Sequence, residues 1–418
     1  MKNQITKILA LLLLANVIGA QTISEKIYNE IELTIKNTTN IERNDNLISV
    51  NIKDLELLKN NFNKKAFIIY QNNEEIPSQL YNDGFECSLI FVSDFKPNES
   101  KVFSVKYLEE GELRRDYTSR TYAELAMKFD AVYKDKKFTS DHFENYNKVV
   151  VPKIHTDHDA LFKYEGPGWE SEKVGYRFYL DWRNATDIFG KKENQLILRK
   201  VGTNDVVAKD DSYHEMQEWG MDIFKVGNTL GIGSIGMMSN DKIVVVSKTD
   251  EVTCEISFNG PIISEVKTNY NGWLVNENKY DLVSKYSIVA GSRTTKANLY
   301  IFENADNITT GLAKHENTEF IKSNNEGDWQ YIALYGKQTL ANDNLGIVLF
   351  YKKSALIKQG EDEVNYFVSL KPDYRKVEYS FAAAWEKEYN GIKNKFEFEA
   401  YINQEITKLN NPLIIDIK

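Results

Sequence analysis

Cysteine and proline are both scarce, with two Cys and seven Pro in 418 residues. Only Cys87 and Cys254 are available, so at most one disulfide can form. The chain is therefore not a disulfide scaffold, and two buried thiols are expected in place of a bridge across the 167 positions between them. Few prolines beside 22 Gly exclude collagenous and proline-rich classes, while 42% hydrophobic residues supply a large core. An excess of positive charge is also missing: 52 Lys and Arg stand against 61 Asp and Glu. DNA, RNA and anionic lipid all need clustered cations, so none is an expected partner. Long apolar runs are absent except at the extreme N-terminus, where the run is shorter than the roughly 20 residues of a membrane span. There Lys2 and Lys7 bracket the start of an apolar segment, Ile8 to Leu14, and Ile18-Gly19-Ala20 precede Gln21. This pattern predicts a secretory signal over residues 1–20 and a periplasmic mature protein starting near Gln21. Gln in place of Cys at the cut argues against a lipid anchor. Loss of Lys2 and Lys7 takes the net charge from −9 to −11.

What is present is short strand patterns. From Ile31 to Tyr107 β-branched and aromatic residues alternate or cluster, as in Ile31-Leu33-Ile35 and Ser88-Leu89-Ile90-Phe91-Val92, between turn-rich pieces such as Lys96-Pro97-Asn98. Such spacing predicts a small N-terminal β-sandwich over residues 21–110. The charged stretch Glu109 to Asp116 reads as its boundary. Beyond it, strand signals recur at Lys173 to Asp181, Ile243 to Val246, Tyr286 to Val289, Leu299 to Phe302, Gly346 to Tyr351 and Asn365 to Leu370. Helical periodicity is weak apart from a candidate helix around Ser380 to Tyr389. Residues 111–418 are thus expected to form a large two-sheet β-sandwich, making the chain all-β.

Polar residues suited to chemistry concentrate in three segments: His155 to Asp159 with Tyr164 to Ser171, Val174 to Lys192, and Tyr213 to Gly227. Read as one strand, residues 174–183 put Val174, Tyr176, Phe178 and Leu180 on a core face. Arg177, Tyr179, Asp181 and Arg183 then share the other face, about 7 Å apart along the chain. Two guanidinium groups in that arrangement suit a carboxylate or sulfate, which they bind bidentately. The same face equally suits a salt-bridge ladder on a solvated sheet. The five Gly between 220 and 236 match no phosphate loop, and no Gly-x-Ser-x-Gly elbow occurs. His155, Asp157, His158 and Asp159 offer a conceivable metal set, but their spacing fits no strong zinc signature, so a divalent metal is not favoured and no cofactor is expected.

The runs from Glu165 to Lys191 and from Tyr213 to Gly227 resemble the domain-of-unknown-function family 4861 over most of residues 25 to 418. That family belongs to bacterial polysaccharide-utilisation systems, is related to galactose-mutarotase-like sandwiches, and includes an ulvan oligosaccharide dehydratase branch. The resemblance implies removal of water from a saturated uronic acid at the non-reducing end, leaving a 4,5-unsaturated sugar. Such a lyase needs a cation at the uronate carboxylate, a base for the C5 proton and an acid for the departing 4-hydroxyl. On those demands Arg177 and Arg183 would clamp the carboxylate, and His214 and His158 would be base and acid in either order, with Tyr179 able to replace one of them. Trp169 and Trp219 would stack on sugar faces, Lys225 would meet a sulfate, and Glu170 and Asp222 would orient the His or Arg groups. The implied partner is an acidic, including sulfated, oligosaccharide. Bond-cleaving β-elimination and non-catalytic glycan binding are the competing readings.

Overall fold

A computed structural model describes residues 28–203, 212–324 and 326–418. The expected secretory signal lies outside these residues. Among the described residues no helix is long and apolar enough to cross a membrane.

Alternation builds the first unit. Ile31, Leu33 and Ile35 in the strand Asn29–Lys36 turn inward, against Phe103 and Val105 of Ser100–Tyr107. These strands belong to a five-stranded sheet that also contains Phe67–Gln71 and Glu74–Ile76. A three-stranded sheet of Arg43–Asn51, Cys87–Phe95 and Ser78–Asn82 closes over the same core with Val50, Leu89 and Phe91. The fifth strand of the first sheet comes from the other end of the chain: Ile414–Ile417 pairs antiparallel with Asn29–Lys36.

The larger body is a sandwich. A nine-stranded antiparallel sheet, with Ile263–Val275, Asn278–Val289, Thr294–Ile301, Lys376–Trp385 and Asn344–Lys352 near its middle, faces two separate five-stranded sheets. One of these runs Gly220–Asp222, Thr186–Lys191, Val174–Phe178, Gly168–Ser171, Thr121–Glu124; it carries the candidate site. The other holds Gly236–Ser239, Ile308–Ala313 and Asn365–Leu370 between its edge strands. Trp169, Tyr176, Phe178, Tyr286, Leu349 and Phe381 meet in the shared core. This is the all-β sandwich architecture that the strand patterns predict.

Two expectations need correction. Residues 380–385 are strand, not helix, because Lys376–Trp385 is buried on both faces: Tyr379, Phe381, Ala383 and Trp385 enter the main core, while Ala382 and Ala384 lie on the outer side. The small Ala side chains make room there for the real C-terminal helix, Lys395–Asn410, which lays Phe398, Ile402 and Ile406 on the sheet and is capped by the Asn394 side chain. Cys87 is only half-buried; Cys254 is fully buried, its thiol pushed up to about 12 by desolvation, and neither is bonded to the other.

The N-terminal sandwich docks on the outer face of the nine-stranded sheet. There Tyr81 donates to Glu265 (2.5 Å), whereas the next residue, Val266, points into the core between the large sheets. Ile90 packs on Ile262 and Ile263 beside this contact. The site sheet lies on the opposite side of that core.

Candidate functional site

The strand Val174–Phe178 is one central strand of the site sheet, and both of its faces are covered. Val174, Tyr176 and Phe178 point to the main core, as alternation requires. Arg177 points the other way, under a second apolar cover that includes Tyr164, Phe189, Leu198 and Tyr213. Strand geometry ends at Phe178. Residues 181–184 make a tight turn in which the Asn184 amide N–H bonds back to the Asp181 carbonyl (3.1 Å) and Asn184 adopts φ +46°. Asp181 and Arg183 therefore reach the site through a turn and not through continued alternation. The Asp181 carboxylate fixes that turn by accepting from the Arg183 amide (2.9 Å) and guanidinium.

Register then assembles the cluster. Arg177 lies directly across from Asp187 in the neighbouring strand, and Asp222 pairs with Phe189 one strand further on. That last strand approaches closely only because residue 220 is Gly: with φ +135°, a Cβ there would sit 1.9 Å from the Gly190 carbonyl oxygen. Arg177 Nε and Nη2 donate to Asp187 at 3.0 and 2.7 Å, and Nη2 reaches Asp222 at 2.5 Å. Nη1 donates to the Tyr213 hydroxyl (3.2 Å) and lies 3.6 Å from Glu165. The Tyr179 hydroxyl accepts from Arg177 (3.0 Å) and donates to Asp187.

From this buried hub two carboxylates lead outward to imidazoles. Asp222 Oδ2 lies 3.0 Å from His214 Nε2, and Glu165 Oε1 lies 3.6 Å from His158 Nδ1. The exposures are graded: the side chains of Arg177, Asp187 and Asp222 are 0–3% exposed, Glu165 and Arg183 are each 11%, His214 is 41% and His158 is 64%. Arg183 bridges Asp181 and Glu165 and lies 4.0 Å above the Tyr179 ring. The result is a continuous path, His158 to Glu165 to Arg177 to Asp222 to His214, with a histidine at each wet end. At 3.0 Å the Asp222 carboxylate fixes the orientation of the His214 imidazole, which suits proton transfer.

Charge explains the titration inside. Four carboxylates (Glu165, Asp181, Asp187, Asp222) face two guanidinium groups. Burial and then the neighbouring Asp222 charge push Asp187 up to about 6, against the pull of Arg177. Burial opposes ionisation of Glu165 too, but Arg177 and Arg183 outweigh it and hold that carboxyl below its usual value. Burial works against the Arg177 charge, yet Asp222, Tyr179 and Asp187 together raise its pKa well above the ordinary value.

The sign of a stability effect follows. Folded Asp187 binds a proton that the unfolded residue has released between about pH 4 and 6, so its contribution to stability falls as pH rises through that window and is level above it. Asp187→Asn lacks this loss. Its urea midpoint relative to wild type is expected to shift upward between pH 4 and pH 6; a difference independent of pH over that range would show that Asp187 ionises normally.

Arg177, Tyr179, Arg183, Asp222, His158 and His214 thus come together, but three expected roles change. Arg177 is no open carboxylate clamp, since its donors already meet protein oxygens. Trp169 cannot stack on a sugar: it is fully buried, its indole N–H donates to Thr295 (2.8 Å), and its ring packs on Tyr176 and Tyr286. Glu170 is also enclosed, paired with Lys191 (2.8 Å) and accepting the amides of Ile197 and Leu198, so it anchors a loop and touches no substrate. Trp219 is half-buried against Phe189. Lys225 is exposed and lies beside His315. His155 and Asp157 are held by Asp159 (2.8 Å) and Trp182 (2.8 Å). Among the described residues no group of three or more His, Cys, Asp or Glu is arranged to hold a metal ion.

Solved structures with related outlines include two proteins of Enterococcus faecalis, one in glycosyl hydrolase family 38 and one an α-mannosidase from strain V583. Each is 10% identical, with TM-scores of 0.44 and 0.47 over 93% of this chain. This chain spans about half the length of either, 47% and 46%. A third, assigned as an aldose 1-epimerase from Klebsiella pneumoniae subsp. pneumoniae MGH 78578, is 10% identical with a TM-score of 0.30, over 70% of this chain and 96% of that one. Likenesses at this level say nothing about activity. No curated protein matches the sequence. The family described as Domain of unknown function (DUF4861) matches residues 35–415, which take in most of both sandwiches and every residue of the Arg177 cluster, and the chain belongs to that family.

Proposed function

We propose that the protein is a carbohydrate-active carbon–oxygen lyase that dehydrates a saturated uronic acid at the non-reducing end of an ulvan-type oligosaccharide. The observation that carries this reading is the pair of solvent-reaching imidazoles, His214 and His158, each backed by a carboxylate on one buried guanidinium. Elimination needs two proton-transfer groups acting on one sugar, and two His serve near neutral pH. One imidazole takes the C5 proton, the C5–H electrons become the C4=C5 bond, the C4–O bond breaks, and the other imidazolium protonates the departing hydroxyl as water. Of the two guanidinium groups in the cluster Arg183 is the more exposed, and it is the cation available to a uronate carboxylate. The secretory signal expected at residues 1–20 makes the periplasm the proposed compartment.

Incubation with saturated-end ulvan oligosaccharides, followed by mass analysis, tests the proposal. A product lighter by one water with unchanged chain length and new ultraviolet absorbance is expected. Shorter chains carrying an unsaturated end would replace dehydration with bond-cleaving elimination, and unchanged glycans that still bind would replace it with a binding role.

A further inference from the structure

Where the N-terminal sandwich, the outer face of the nine-stranded sheet and the helix Lys395–Asn410 meet, they surround a cavity of about 500 Å³. Its floor is one cross-strand row: Ser287 lies opposite Lys296, and Lys296 opposite Ser380. Their chain neighbours Tyr286, Ile288, Ala297, Tyr379 and Phe381 turn to the main core, so alternation turns these three outward. Among the described residues neither serine hydroxyl has a partner, and neither is enclosed, each residue being 4% exposed.

Five cations and three acids line the cavity, and most of them are answered. Arg293 meets Glu388 (2.6 Å), Lys408 meets Glu405 (2.8 Å), Lys296 meets Glu378 (3.3 Å), and Asp45 meets Arg120 (2.7 Å). Two cations are left over, against one exposed acid, Glu42. Arg43 is 1% exposed and gives its Nε and Nη2 only to neutral oxygens, those of Asn37, Thr39 and Asn411. Among the described residues the Lys173 ammonium has no ion-pair or hydrogen-bond partner at all. Burial, and then the Arg293 charge, holds it below its ordinary pKa, so the acids nearby do not make up its deficit.

The Lys173 backbone is fixed even though its ammonium is free. It stands in the turn between Gly168–Ser171 and Val174–Phe178, and that turn is pinned to the nine-stranded sheet on both sides. Glu172 accepts the Gly291 amide (2.8 Å) and pairs with Arg120. The Ser171 hydroxyl donates to the Ser292 carbonyl (2.5 Å) and accepts the Lys173 amide (3.1 Å). The turn therefore holds a charged donor at the cavity wall without committing it.

An unpaired ammonium, a buried guanidinium answered only by neutral oxygens and two open hydroxyls form a set of donors short of negative charge, which a carboxylate or sulfate supplies. The volume is more than an inorganic ion fills and lies within the roughly 300–1,000 Å³ usual for ligand pockets. We infer that this cavity is a second carbohydrate site, which holds a sugar residue by its carboxylate or sulfate ester on the side of the main core away from His214. The charge argument is independent of dehydration; the choice of a sugar rests on the function proposed above.

Calorimetric titration with glucuronic acid, glucose 6-sulfate, glucose and sodium sulfate tests the site. At least one of the two acidic sugars is expected to bind, and neither glucose nor sulfate to match it. Lys173→Met, which keeps most of the side-chain volume, is expected to weaken that sugar about tenfold or more, and Lys173→Arg to preserve it. Ser287→Asp, which brings a carboxylate to the floor, is expected to weaken it as well. Urea midpoints of the variants show that each is folded. Failure of both acidic sugars to bind would overturn the site, as would unchanged affinity in Lys173→Met whatever Ser287→Asp does. Glucose binding as tightly as the acidic sugars would overturn the role of charge, and sodium sulfate doing so would leave an inorganic-anion site in place of a sugar site. Acidic-sugar binding that Lys173→Met abolishes, in a protein that dehydrates nothing, would keep this site and remove the dehydratase reading; dehydration with Lys173→Met at wild-type affinity would do the reverse.

Discussion

Arg177→Met is expected to destabilise the protein by about 3–5 kcal/mol, because it deletes the cation from a dry cluster and leaves the carboxylates behind. The Arg177, Asp187 and Asp222 side chains are 3%, 0% and 1% exposed, so water cannot take over the lost interactions. Three rings, Tyr179, Phe189 and Tyr213, stand within 5.5 Å of the guanidinium and would close on a hole of lower polarity. Methionine retains most of the volume, so the loss measures charge and hydrogen bonding more than cavity formation. Acid pH should recover part of it, since Asp187 can then take up a proton. Adding Asp187→Asn and Asp222→Asn to the variant should recover more. Urea denaturation at pH 7.5 and pH 5.5 reads both effects; a loss below about 1 kcal/mol at pH 7.5 would mean that the cluster is wetter than its burial indicates.

The same cluster shows where a sequence speaks and where it is silent. Period-two patterning locates strands such as Asn365–Leu370 and Asn29–Lys36 because each puts a regular series of apolar side chains into a core. It fails at Lys376–Trp385, where both faces are buried and an Ala run mimics a helix. The helix Lys395–Asn410 did leave a signal, Asn394 as cap with Phe398, Ile402 and Ile406 four apart, but Ile and Phe at wide spacing among charged residues give a weak stripe. Arg177, His214, His158 and Asp222 stand out through the density of polar and aromatic residues around them. Glu165 and Asp187 do not, because what makes them matter is cross-strand register and a backbone reversal: Asp187 faces Arg177 across the sheet, and Glu165 sits at φ +69° ahead of Gly166-Pro167-Gly168. Neither pairing can be read from one strand. Trp169 and Glu170 err in the opposite direction, since a tryptophan and a glutamate in a dense motif look exposed until a second sheet and a covering loop enclose them.

His214→Ala is expected to lower kcat for dehydration by about 100- to 10,000-fold, the usual contribution of a positioned acid or base, with little change in stability. The two halves of this expectation rest on different facts. Stability should hold because the imidazole is 41% exposed, and because Asp222, on losing it, still has the Arg177 guanidinium at 2.5 Å. Activity should fall because His214 reaches solvent yet has its Nε2 fixed 3.0 Å from a buried carboxylate, as a proton-transfer group requires. His214→Gln keeps a polar side chain beside Asp222 but cannot exchange a proton near neutral pH, so it should remain as slow as the alanine variant; recovery of turnover with Gln would make His214 a positioning residue. His158→Ala should be comparably slow, with one limb of the pH–rate profile lost in each variant and a different limb in the two. If the same limb vanishes from both, the histidines act as one titrating unit through Glu165, Arg177 and Asp222, and the separate acid and base roles are wrong. Near-normal turnover in His214→Ala with wild-type thermal stability would move the chemistry away from this end of the path altogether.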